Sequence, residues 1–123
     1  MIDDTKRILC TINSTPEKRF RSFISTVADK EAVWLLESED GYMTLDIDGY
    51  VNLLLWPEEV YAKAFDENAS PTYIEVHHFC DICRDYIHQE KIRFMVFPTK
   101  KDTYIIGVSE LLDCILNELH RLE

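Results

Sequence analysis

The chain is short of the residues that mark unusual architectures. It has 3 Gly and 4 Pro in 123 residues, too few for long linkers or low-complexity segments. Its four cysteines, at 10, 80, 83 and 114, are read as free thiols and not as a disulfide framework. The longest apolar runs, Leu53-Leu54-Leu55-Trp56 and Tyr104-Ile105-Ile106, fall far below the roughly 20 residues that span a bilayer. They are expected as buried strands. The opening Met1-Ile2-Asp3-Asp4 is acidic, unlike a signal peptide, so the expected location is cytoplasmic, with no membrane partner.

Positive charge is scarce as well. Lys and Arg number 13 against 23 Asp and Glu, a formal net charge of −10. Such a surface repels a phosphate backbone unless a basic patch overcomes it. The basic clusters Lys18-Arg19-Phe20-Arg21 and Lys100-Lys101 are too short to dominate, and no nucleic-acid partner is expected. What the chain does have is 46% hydrophobic and 11% aromatic residues, enough for one globular domain whose folding buries about two-thirds of its surface. We expect that domain over residues 14–123, with residues 1–13 as a loosely attached arm or short helix.

Ser14-Thr15-Pro16-Glu17 supplies an N-cap hydroxyl, Pro at the first helical position and Glu three residues after Ser14, which starts a helix. Phe20, Phe23, Ile24 and Val27 follow on one helical face. Then Ala32 to Leu36, Tyr42 to Leu45 and Tyr50 to Trp56, parted by Glu39-Asp40-Gly41 and Asp48-Gly49, predict a three-stranded meander. Pro57 ends the third strand and opens a helix to about Phe65. A strand at Tyr73 to Val76, a helix from His77 to Gln89, strands at Ile92 to Phe97 and Thr103 to Val108, and a C-terminal helix capped by Ser109 complete the order α-βββ-α-β-α-ββ-α. This is the α+β class, a largely antiparallel sheet with helices packed mainly on one face.

The helix bearing Phe23 and Val27, then Val33-Trp34-Leu35, Gly41-Tyr42, Leu55-Trp56-Pro57, Tyr61-Ala62, Val96-Phe97-Pro98-Thr99 and Val108-Ser109-Glu110-Leu111 form a spaced series. It resembles the bacterial domain-of-unknown-function family numbered 2750, over roughly residues 18–120. The resemblance implies a small cytosolic bacterial domain. It implies no activity and no catalytic residues.

His77, His78, Cys80 and Cys83 are the sharpest chemical candidates, since Cys-x-x-Cys beside histidine suits zinc or a redox pair. On a helix, however, Cys83 shares the stripe of Phe79, Ile82, Tyr86 and Ile87, while Cys80 joins His77, Arg84 and His88. Cys80 and His88 are about 12 Å apart along the axis, whereas zinc ligands lie within about 4 Å of one another. The cluster is one ligand short. Asp81 opposes a lowered thiol pKa, so one core thiol and one rim thiol are expected, with no metal and no cofactor. Asp46-Ile47-Asp48-Gly49 has Gly at the fourth position and Pro57 at the twelfth, which is not a calcium loop. The last candidates are aromatic. Tyr50, Asn52, Leu54 and Trp56 share a strand face; Trp34 and Trp56 are expected in or at the rim of the core, but if the Asn52 face is outward, Tyr50, Leu54 and Trp56 form a partner surface.

The leading reading is a small acidic cytosolic module, non-enzymatic, that works through protein contacts with a partner or as a homodimer. A regulatory or toxin-neutralising role suits it. The alternative is a small enzyme or ligand-binding protein whose cleft the sequence does not reveal.

Overall fold

The computed structural model describes residues 4–123. Met1 to Asp3 of the expected arm lie outside the described residues. Helix α1 (Asp4–Ile12) precedes α2 (Pro16–Lys30), and its Ile8 and Ile12 pack against the core. Thr15, not Ser14, caps α2, its side chain accepting the Lys18 amide at 3.2 Å. With Pro at the first helical position, the residue before it is the one left in extended geometry. Glu31 ends α2 in the left-handed region, φ 58°.

Strands β1 (Ala32–Ser38) and β2 (Gly41–Tyr42) form a hairpin that turns through Gly41 at φ 109°. β3 (Thr44–Ile47) and β4 (Tyr50–Leu55) form a second, joined by Asp48 at φ 54° and Gly49 at φ 83°, the positive pair that a type I′ turn requires. The central strand expected from Tyr42 to Leu45 is therefore divided at Met43. Its amide donates to Leu36 O at 2.8 Å, and its carbonyl accepts from Leu54 at 3.5 Å. Met43 thus hands the chain from one sheet to the next.

After α3 (Glu59–Phe65) come β5 (Ser70–Glu75), α4 (Val76–Tyr86), β6 (Ile92–Val96), β7 (Tyr104–Gly107) and α5 (Val108–Arg121). α3 starts two residues beyond Pro57, and α5 takes Gly107 as its N-cap, so Ser109 lies inside the helix. One sheet has the order β2-β1-β5 and the other β3-β4-β6-β7. All pairings are antiparallel but β4 with β6, a parallel pair whose obligatory crossover is supplied by α3, β5 and α4. The sheets are stitched by Trp34 and Trp56, whose backbones bond both ways at 2.9 and 2.8 Å. The element order is the α+β order expected. Phe23 and Val27 of α2, Phe79 and Cys83 of α4, and Leu111 and Ile115 of α5 fill the core above Leu55, Phe94 and Val96.

Candidate functional site

The Cys-x-x-Cys pair lies on a helix packed into the core. Cys80 and Cys83 are both buried, so the rim position expected for Cys80 is corrected: α4 is covered on that side too. Burial raises the Cys80 thiol pKa and pushes that of Cys83 up to about 12, and a thiol held protonated is a poor nucleophile and a poor metal ligand. His77 and His78 lie at the exposed start of α4, where Glu75 acts as N-cap. Its carboxylate accepts the amides of His77 and His78 at 2.9 and 3.3 Å and meets His77 Nδ1 at 2.7 Å. Those backbone bonds hold the Glu75 carboxyl below its ordinary pKa, and the carboxylate raises that of His77. No group of three or more metal-binding side chains occurs among the described residues.

The partner surface drawn from Tyr50, Leu54 and Trp56 is also corrected. Leu54 and Trp56 are 0% exposed. Trp56 is packed beside Phe65 at 5.3 Å, and its indole N–H donates to Pro98 O at 3.0 Å. The strand does present its Asn52 face away from α2 and α5, yet neighbouring side chains bury most of it. Tyr50 alone stays half-exposed.

One buried residue organises the end of this sheet. Arg19 of α2 donates from Nε to Phe97 O at 3.2 Å, from Nη1 to the carbonyls of Ile12 and Ser14, and from Nη2 to Asp102. Phe97 sits at φ 54°, a strained conformation for a bulky residue that the surrounding bonds must over-determine. Arg19 and Tyr61, whose ring lies 4.7 Å from that of Phe97, do so. Thr99 closes the loop, its hydroxyl accepting the amides of Lys101 and Asp102 at 3.2 Å each.

The sheet face turned away from α2 and α5 is the candidate site. Register places Leu45 and Ile47 of β3, Tyr50 and Asn52 of β4, Arg93 and Met95 of β6, and Ile105 of β7 on it. Leu45, Ile47 and Ile105 are 43%, 36% and 41% exposed. Beside them a groove of about 340 Å³ is floored by Leu45, Phe65, Met95 and Pro98 and rimmed by Lys100 and Lys101. At the other end Arg93 stacks on Tyr50 with its guanidinium 3.8 Å from the ring centre, and Lys91 lies 5.3 Å from the same ring. Asn52, fully buried, donates to Leu45 O and Tyr50 O at 3.0 and 3.2 Å, while its Oδ1 and the Nε of Arg93 have no hydrogen-bond partner among the described residues. Sequence reasoning missed this constellation. The signal was Arg93 alternating with Ile92 and Phe94, a polar residue on a face otherwise apolar.

These features define a small α+β domain with buried thiols and one partly apolar, basic-edged sheet face. The chain belongs to the family described as protein of unknown function (DUF2750), whose profile matches residues 20–115. No curated protein matches it. No helix among the described residues is long and apolar enough to cross a membrane.

Proposed function

We propose that this domain is a non-enzymatic regulatory module that acts through protein contact, and that its working surface is the sheet face bearing Leu45, Ile47 and Ile105. The observation that carries the reading is the exposure of Leu45 and Ile47 on one edge strand and of Ile105 on the other, all on one registered face. Exposed aliphatic side chains gathered on one face mark interaction sites more than idle ones. A regulatory role is favoured over a toxin-neutralising one, which asks for a basic partner on acidic surface, because Lys91, Arg93, Lys100 and Lys101 all border this face. The cytoplasmic setting expected from the composition accords with it.

Co-purification of the native protein and of Ile105→Glu, followed by mass spectrometry, tests this. Ile105 lies on an edge strand with its side chain 41% exposed, so the variant should melt with the parent. A protein retained by the parent and lost from Ile105→Glu is the expected result. Retention that the variant does not change, or none at all, overturns the proposal.

A further inference from the structure

The face is not only apolar; its charge is opposite to that of the molecule. In a chain of net charge −10, Lys91, Arg93, Lys100 and Lys101 all border it, and none makes an ion pair among the described residues. Of the carboxylates near it, Asp102 is bonded to Arg19, and Asp48 and Glu90 are exposed and pair with none of these four cations. Beneath the patch lie two unsatisfied groups of complementary type on paired residues, Asn52 Oδ1 and Arg93 Nε. Buried polar atoms are nearly always bonded, and with these two sealed from solvent the Arg93 guanidinium has neither a bond at Nε nor a carboxylate partner among the described residues.

Resting on the reading of this face as a contact surface, we infer that it takes an acidic polypeptide segment, with one carboxylate paired to Arg93, a second to Lys100 or Lys101, and apolar side chains between them over Leu45, Met95 and Ile105. Charge complementarity selects that partner. A second copy meeting the face symmetrically would set the same cations against each other. A nucleic acid finds no free aromatic face here on which to stack its bases, because Tyr50 is already covered by Arg93. From Arg93 to Pro98, at about 3.3 Å per residue, is about 17 Å, so an extended segment with its acids six residues apart bridges both ends.

The probe is the peptide acetyl-Glu-Ser-Leu-Ser-Leu-Ser-Glu-amide, titrated into the full, ¹⁵N-labelled chain, with a version carrying Lys for both Glu and a short oligothymidylate as comparisons. We expect amide shifts confined to β3, β4, β6, β7 and the loop after β6, and no such shifts from the lysine peptide. Arg93→Gln and the double variant Lys100→Gln/Lys101→Gln should each weaken binding about fivefold, the effect of losing one solvent-exposed pair worth about 1 kcal/mol. The double variant changes only exposed loop side chains, so its fold is not at risk. Absence of shifts on this face, equal shifts from the lysine peptide, or the same shifts from oligothymidylate at lower concentration overturns the inference. A water bridging Asn52 and Arg93, with no peptide response, does so too. If the peptide fails while Ile105→Glu still strips a co-purifying protein, only the acidic character of the partner is refuted.

Discussion

Arg19 and Asp102, 83 residues apart in the chain, are joined guanidinium to carboxylate across the end of the second sheet. Arg19 is 1% exposed and Asp102 37%, so the two partners are not equivalent. Arg19→Met leaves the carbonyls of Ile12, Ser14 and Phe97 without a donor and should cost more than the about 1 to 3 kcal/mol of a single orphaned acceptor. Asp102→Asn keeps an acceptor at a partly solvated site and should cost about 1 kcal/mol. Urea denaturation of the two variants gives both figures. Equal losses would mean that the carboxylate, not the carbonyl set, governs Arg19.

The thiols supply an independent check on burial. Cys10 is exposed, Cys114 half-buried, and Cys80 and Cys83 buried, with desolvation raising the pKa of the latter three. Alkylation under native conditions, read by peptide mass spectrometry, should label Cys10 first and Cys114 more slowly. Cys80 and Cys83 should be labelled only on unfolding. Rapid native labelling of Cys83 would contradict the packing of α4.

Most of the architecture was legible in the sequence because its signals are local. Asp48-Gly49 forces a positive-φ turn, Thr15-Pro16 starts α2, and Phe23 with Val27 repeats at helical spacing. The division of the central strand at Met43 was not legible, since an apolar residue within a β run gives no local sign that its amide and carbonyl serve different strands. Arg19 was read as part of a basic surface cluster, although it stands four residues before Phe23 on the buried stripe of the helix. Its partners Phe97 and Asp102 are distant in sequence, and only the tertiary fold brings them together. The candidate face was hidden for the same reason. Lys91, Arg93, Lys100 and Lys101 form one patch only after the parallel pairing of β4 with β6 places Arg93 beside Asn52.

A pH dependence follows from the start of α4. His77 has its pKa raised above the ordinary 6.5 by Glu75, and Glu75 has its own lowered below 4.5, chiefly by the His77 amide. The His77 contribution is therefore complete below about pH 6.5 and is lost as pH rises through the raised folded value. The Glu75 contribution is complete above about pH 4.5 and is lost as pH falls through the lowered one. Titration of the His77 ring by NMR should give a value above 6.5 that returns toward it in Glu75→Gln. A His77 value that ignores Glu75→Gln would show that the ring and carboxylate do not meet in solution.

Trp56 closes both sheets and offers the most direct measure of the fold. Its backbone bonds to Trp34 in both directions, its ring packs on Phe65, and its indole N–H satisfies the carbonyl of Pro98. Trp56→Ala removes all the side-chain contacts and should cost about 3 to 5 kcal/mol, a large share of the roughly 5 to 15 kcal/mol that holds a small domain together. Trp56→Phe keeps much of the apolar volume but leaves Pro98 O without its donor, at a cost of about 1 to 3 kcal/mol. With each kcal/mol worth about 3 to 6 °C at this chain length, calorimetry separates the two variants from each other and from the parent. Because Pro98 precedes the loop that carries Lys100 and Lys101, Trp56→Phe should also broaden the amide signals of Thr99 to Asp102. An unshifted melting point for Trp56→Ala would place the indole in solvent, and with it would fall the packing that holds this loop beside the candidate face.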